Sequence, residues 1–136
     1  VKIDDYPSAS LKLTSDVGNA KIKEINSIDA EADVGNIEIE KVYYAKIDTN
    51  TGNVKIKEIN NFNMEADTGN IIIEKVNMDK NSTIKTDTGN IKIKKTNDIY
   101  INAKTDVGNT KVNNSNRKSD LELNIKTDTG NIKVNY

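Results

Sequence analysis

Aspartate recurs along the chain in a fixed four-residue setting, and its carboxylates are the first groups to consider for chemistry. The phrase D-[VT]-G-N occurs six times, and a seventh copy has Asn50 at the aspartate position. The six aspartates are Asp16, Asp33, Asp67, Asp87, Asp106 and Asp128. One carboxylate per repeat could serve a calcium-dependent module, because Ca²⁺ takes about six to eight oxygen ligands. Asn50 fits better if the row accepts hydrogen bonds from corner N–H groups or Asn side chains, so we expect no functional metal.

The composition argues against catalysis. The 136 residues contain no His and no Cys, which removes the commonest general base and the thiol nucleophile. A glycosidase could work with two carboxylates alone, but no carboxylate pair stands out from the repeating background. We therefore expect no enzyme, no catalytic residue and no cofactor.

Lysines form a second recurring set, in the last three repeats. Numbered from the glycine of each repeat as zero, position −4 changes from Glu31, Asp48 and Glu65 to lysine, and position +3 ends in lysine. The six lysines are Lys85, Lys104, Lys126, Lys92, Lys111 and Lys133. They form a candidate surface for an anionic polymer or lipid headgroups, with a merely solvated basic face as the alternative. The net charge of −1 argues against nucleic acid as a partner.

The glycines of the seven copies lie 17, 17, 17, 20, 19 and 22 residues apart, which marks a repeat architecture. Apolar residues alternate by two on each side of Gly-Asn, which predicts two short strands per repeat, each with one buried face. The same alternation places the Val or Thr at position −1 inward. Position +4 is always Ile or Val and predicts one inner ladder: Ile22, Ile39, Ile56, Ile73, Ile93, Val112 and Val134. A recurring Asn at +8 predicts a second corner.

Charge decides between a hairpin meander and stacked coils. Position +5 alternates in sign as Lys23, Glu40, Lys57 and Glu74, and position +6 alternates in the opposite phase. Such alternation has a cause only where equivalent positions are neighbours, in parallel in-register pairing. We therefore predict a single all-β domain over 1–136, a β-solenoid of about seven coils of 17–22 residues. The crossover preference favours right-handed winding.

The repeated run D-T-G-N-I-x-[IV] resembles the bacterial adhesin-like family of β-strand-repeat proteins, a domain of unknown function. It is also similar to the related G-I-N-type head domains of autotransporter adhesins. The resemblance covers essentially the whole chain. It implies a β-solenoid, a bacterial source and an extracellular or cell-envelope location, and it supplies no catalytic residues. The expected function is a non-enzymatic structural or binding module, whose partners are other domains of the same protein or cell-surface polymers.

The two ends of the chain fall in the middle of a repeat. Val1 corresponds to position +2 and Tyr136 to position +6. We therefore expect an excerpt of a longer protein. No apolar run approaches the roughly 18 residues needed for a transmembrane helix. Exposed strand edges at the ends, with an acidic first half and a basic second half, predict end-to-end self-association.

Overall fold

The computed structural model describes residues 2–135, with side chains described from residue 9 onwards except for Ser15 and Val17. Val1 and Tyr136, and the predictions made on them, lie outside the described residues. The described residues form strands and no helix, so no helix among them could span a membrane. The strands are β1 (Lys2–Val17), β2 (Ala20–Val34), β3 (Ile37–Thr51), β4 (Val54–Thr68), β5 (Ile71–Val76), β6 (Ser82–Thr88), β7 (Ile91–Thr96), β8 (Tyr100–Val107), β9 (Thr110–Val112), β10 (Glu122–Thr129) and β11 (Ile132–Val134).

All pairings between these strands are parallel, which confirms the solenoid and excludes the hairpin meander. Equivalent positions of successive repeats lie side by side, as the charge alternation predicts. Glu24 lies beside Lys41, and Lys41 lies beside Glu58. The Lys41 Nζ is 3.6 Å from the Glu24 carboxylate. At the surface such a pair contributes about 0.2–1 kcal/mol, so its main effect is on register.

Each of the first coils bends at three places, one more than the sequence predicts. The inward residues of β2 are Ala20, Ile22, Ile25, Ile28, Ala30 and Ala32. Their spacing lengthens from two to three residues around positions +5 and +8, and the pairing with β3 omits Lys23 and Asn26 there. The bend at +8 confirms the second corner, whereas the bend at +5 was not predicted. The prediction of two short strands per coil is therefore wrong for β1–β4, where one strand of 15 or 16 residues continues through both bends.

The last two repeats do not stack in sequence order. After the Gly-Asn corner the strands follow the order β1-β2-β3-β4-β5-β7-β11-β9, and before the corner β10 lies between β6 and β8. The chain thus skips one level between β7 and β8, and the C-terminal strands β10 and β11 return to fill the gap. The predicted inner ladder exists, but Val134 lies between Ile93 and Val112.

The coil made by β8 and β9 is consequently the last level of the stack. Several of its inward positions hold small or polar residues where other coils hold isoleucine, as at Ala103, Thr110 and Ser115. Thr105 donates its hydroxyl to the Gly130 carbonyl oxygen at 2.9 Å. Polar side chains at the terminal level separate the apolar core from water at this end of the stack. The outer backbone edge of β9 has no strand partner among the described residues, so end-to-end association stays a prediction.

Glycine is required at the corner because neighbouring levels approach too closely for any side chain. A Cβ placed on Gly69 would lie 1.7 Å from the Gly52 carbonyl oxygen. The φ of Gly69 is +155°, which L-residues rarely adopt. At the exchanged levels a Cβ on Gly130 would lie 1.9 Å from the oxygen of Gly89, its neighbour in space.

Candidate functional site

The asparagine after each glycine forms a hydrogen-bonded ladder along the corner. The Asn70 N–H donates to the Asn53 side-chain Oδ1 at 2.9 Å, and the Asn90 N–H donates to Asn70 Oδ1 at 2.9 Å. The glycine N–H and the N–H at +2 instead bond to backbone carbonyls of the following level. Of these three corner amides, only the asparagine N–H points toward the preceding level, and a side-chain carbonyl supplies its acceptor. This confirms a structural ladder and explains why no other residue occurs at this position.

The ladder continues through the two exchanged coils in their spatial order. The Asn131 N–H donates to Asn90 Oδ1 at 2.8 Å, and the Asn109 N–H donates to Asn131 Oδ1 at 2.9 Å. The continuity of these bonds through the inserted coil shows that the D-[VT]-G-N corner works equally well between repeats that are not consecutive in sequence.

The aspartate row lies on the outer surface, with one carboxylate at each level except that of Gly52, which has Asn50. Asn50 donates its side-chain N–H to Asp33 Oδ1 at 3.1 Å, which is one of the hydrogen bonds expected for the structural role. Among the described residues, no group of three or more acidic, His or Cys side chains could hold a metal ion. The row therefore has carboxylates in a line, whereas calcium needs several oxygens converging on one point.

In the six copies whose side chain at position −1 the structure describes, the Val or Thr points outward, which corrects the prediction from alternation. Val34 is 48% exposed and Val107 is 64% exposed, and Thr88 is also exposed. Alternation fails here because the corner begins before the glycine, so two consecutive residues face solvent. Position −3 does point inward, and Thr86 is fully buried.

The six lysines singled out from the sequence lie on two different faces. Lys85, Lys126 and Lys104 stack in that order on β6, β10 and β8. Two residues further along each strand, on the same side, is an aspartate: Asp87, Asp128 and Asp106. The Lys126 Nζ is 3.6 Å from Asp128 Oδ1. The three lysines and their three aspartates therefore have a net charge of zero together. We call Lys85, Lys126 and Lys104 the compensated column.

The second set continues into a larger basic surface on the other arm of the coil. Lys92, Lys133 and Lys111 stack in register on β7, β11 and β9. Lys75 and Lys95 lie side by side on β5 and β7, with Lys94 adjacent. We call these six residues the lysine face: Lys75, Lys92, Lys94, Lys95, Lys111 and Lys133. All six are exposed, and none forms a salt bridge within the part of the chain that the structure describes.

The repeated corner and the parallel levels extend over nearly the whole described chain, and so does the match to a known family. A family model described as Toastrack DUF4097 matches residues 4–136. The chain belongs to the Toastrack family. This is a β-solenoid-like repeat family of uncharacterised function, so the assignment supports the fold and supplies no activity. No curated protein and no solved structure matches this Toastrack chain.

Part of the lysine face borders a shallow hollow of about 420 Å³. Its lining includes the side chains of Lys75, Lys94 and Lys95, together with Glu74 and Asn114. We compared positions +3, +5 and +6 in the four repeats that contain β5, β7, β9 and β11. Among the described residues at these positions, Glu74 is the only acidic one. The hollow is large enough for an anionic group, and its lining consists of three lysines, one glutamate and two asparagines.

Sequence reasoning missed a polar network at the rim where the coil lengths vary. The Tyr43 hydroxyl donates to Asp79 Oδ2 at 2.6 Å, and the Asn61 side chain donates to Asp79 Oδ1. These hydrogen bonds lower the pKa of Asp79, and the bond to Asp79 raises the pKa of Tyr43. Asn61 Oδ1 also accepts the Lys80 N–H at 2.9 Å. The network anchors the segment between β5 and β6, and no repeat position signals it because that segment is an insertion.

Proposed function

We propose that this Toastrack chain is a non-enzymatic structural and binding module of a bacterial cell-envelope protein, in line with its adhesin-like repeats. In this role the solenoid holds other domains of the same protein at a fixed distance, or it presents its outer side-chain ladders to a partner. The observation that supports the proposal best is the placement of β10, which pairs with β6 on one side and β8 on the other. A strand held between two levels cannot fray from an edge, which suits a module that bears load or keeps a fixed length.

Solvent-facing features also favour display over catalysis. The three described hollows have volumes of about 310 to 430 Å³ and are open to solvent rather than enclosed. Enzyme sites are usually concave and enclose most of a small ligand, with a few polar groups converging on it. Outward ladders instead repeat the same group at each level, about 4.8 Å apart, which suits an extended partner.

Amide hydrogen exchange and localisation test this proposal. Amides of β10 and β11 should exchange as slowly as those of β3 and β4, because their bonds open only with the stack. Fast exchange confined to β10 and β11 would contradict a fixed, load-bearing module. On intact source cells, an antibody against the domain should bind without lysis. Binding only after lysis would contradict the envelope location.

A second candidate function is binding of anionic polymers or lipid headgroups, and the lysine face favours it. In the early coils, opposite charges alternate between levels, as at Lys57 and Glu40, whose charged atoms are 3.9 Å apart. On the lysine face, Lys92, Lys133 and Lys111 lie directly beside one another, and Lys95 lies beside Lys75, which has Glu58 on its other side. Like charges in such contact oppose folding slightly unless a counter-charge is present. An anionic partner would remove that repulsion on binding.

A further inference from the structure

The lysine face has a geometry that distinguishes it from the rest of the basic half of the chain. Lys92, Lys133 and Lys111 form a row parallel to the solenoid axis, with one cation at each of three successive levels. Neighbouring strands are about 4.8 Å apart, so the three lysine side chains start from backbone positions at that interval. The hollow lies alongside the row, because its lining takes Lys94 and Lys95 from the level of Lys92, Asn135 from the level of Lys133 and Asn114 from the level of Lys111.

No acidic side chain interrupts this row. In register with Lys92 on the other side is Ile72, and no aspartate or glutamate occurs at the three row positions. The compensated column offers the contrast, because Lys85, Lys126 and Lys104 occupy corresponding levels with an aspartate two residues from each. The two sets therefore contain the same number of lysines in the same three repeats and differ in local compensation.

The shape of the row favours a linear partner over a membrane. Among the exposed large hydrophobic residues of the described chain, Ile72 alone lies next to the lysine face, and it is 38% exposed. Lasting attachment to a bilayer takes apolar burial in addition to basic charge, and one partly exposed isoleucine gives little. A row one cation wide, with the hollow alongside it, instead matches a chain of regularly spaced anions.

We propose that the lysine face binds a linear anionic polymer laid along the solenoid axis, with Lys92, Lys133 and Lys111 contacting successive anionic groups and Lys75, Lys94 and Lys95 holding a further group in the hollow. The proposal rests on the second candidate function and names its site and ligand class. The compensated column, which the sequence placed on equal terms, is not part of this site.

The test compares two triple variants that remove the same charge from the same repeats. The first is Lys92→Gln, Lys111→Gln and Lys133→Gln, and the matched control is Lys85→Gln, Lys104→Gln and Lys126→Gln. The probe is fluorescent inorganic polyphosphate of about one hundred units, followed by anisotropy at low and high salt, with vesicles containing anionic lipid as a parallel probe. All six side chains are exposed, and thermal melting of each variant confirms folding.

We expect the first variant to lose affinity for polyphosphate by on the order of 100-fold, since each lysine near an anionic surface contributes about a factor of five. The control should lose less than about five-fold, and the parent should weaken steeply with salt. Equal losses in the two variants would overturn the lysine face as the site while leaving anion binding intact. No binding by the parent to either probe would overturn the second candidate function as well. Binding to vesicles but not to polyphosphate would overturn the choice of a polymer.

Discussion

Replacing Gly69 with alanine tests how tightly the levels are stacked. The new Cβ would lie 1.7 Å from the Gly52 oxygen and 2.7 Å from its carbonyl carbon, and both are backbone atoms with little freedom to move. An ordinary contact needs about 3.4 Å or more, so the two levels must separate at this corner. Three hydrogen bonds span the gap: Gly52 N–H to Thr68 O at 3.0 Å, Val54 N–H to Asn70 O at 2.9 Å, and Asn70 N–H to Asn53 Oδ1 at 2.9 Å.

At about 1 kcal/mol of net stability for each bond, losing the three costs about 3 kcal/mol, before any strain from the positive φ. For a domain of this size, that lowers the Tm by about 10 °C. Urea denaturation and thermal melting followed by circular dichroism measure both quantities. Thr68→Ala, an exposed residue at the same corner, is the control and should change stability by less than about 0.5 kcal/mol. A Gly69→Ala protein within about 1 kcal/mol of the parent would refute the tight-stacking argument.

Three further predictions concern the asparagine ladder, the aspartate row and the rim network. Asn70→Ala removes the acceptor of the Asn90 N–H and should cost about 1 kcal/mol in urea denaturation, whereas Asn63→Ala, an exposed asparagine outside the ladder, should cost nearly nothing. Millimolar calcium should leave the Tm unchanged, and a saturable rise that is lost in Asp87→Asn with Asp128→Asn would contradict this. Because hydrogen bonds lower the pKa of Asp79 in the folded state, their stabilisation is present above the unfolded pKa and is lost as pH falls through the folded pKa. Tyr43→Phe should therefore destabilise at neutral pH and much less at strongly acidic pH, and an equal loss at both would contradict the assignment.

The parallel solenoid was predictable because two patterns carry independent information. The apolar pattern indicates which face of each strand is buried, and the charge pattern indicates which residues are neighbours between levels. The alternating signs at +5 and +6 depend on which residues are neighbours between levels, and the observed pairing of Glu24, Lys41 and Glu58 follows them. The bend at +5 is also visible in the spacing of apolar residues, because Ile22 and Ile25 both point inward although they are three residues apart. A strict period of two conceals such a bend, and the same assumption misplaced the Val or Thr at −1.

The exchange of the last two coils was harder to predict because every repeat has the same corner. A corner of this kind fixes how two levels join, and it contains no information on which repeat comes next. The residue types at the inward positions did contain a signal. The sixth repeat has the smaller or polar residues Ala103 and Thr110 there, whereas the seventh again has the large apolar residues Ile125 and Ile132. A polar coil is expected at the end of a stack, so this order identifies the sixth repeat as the end.

The division of the lysines into two faces depends on three-dimensional neighbours that the repeat numbering does not weigh. Positions −4 and −2 face the same side of one strand, so Asp128 offsets Lys126. Position +3 has the uncharged asparagine of the corner on one side and, in the last coils, Lys94 or an asparagine on the other. Counting charge by column alone gives both sets equal weight.

Disulfide trapping tests the inserted coil most directly, since the parent chain contains no cysteine. In the structure Thr83 is the in-register neighbour of Asn124, and Asn102 lies on the far side of Asn124. Neighbouring levels are about 4.8 Å apart and next-neighbour levels about 10 Å, whereas a disulfide requires a Cα separation below about 7 Å. Under mild oxidation, Thr83→Cys with Asn124→Cys should therefore form an intramolecular disulfide, and Thr83→Cys with Asn102→Cys should remain reduced. The reverse result would contradict the exchanged order and return the chain to sequential stacking.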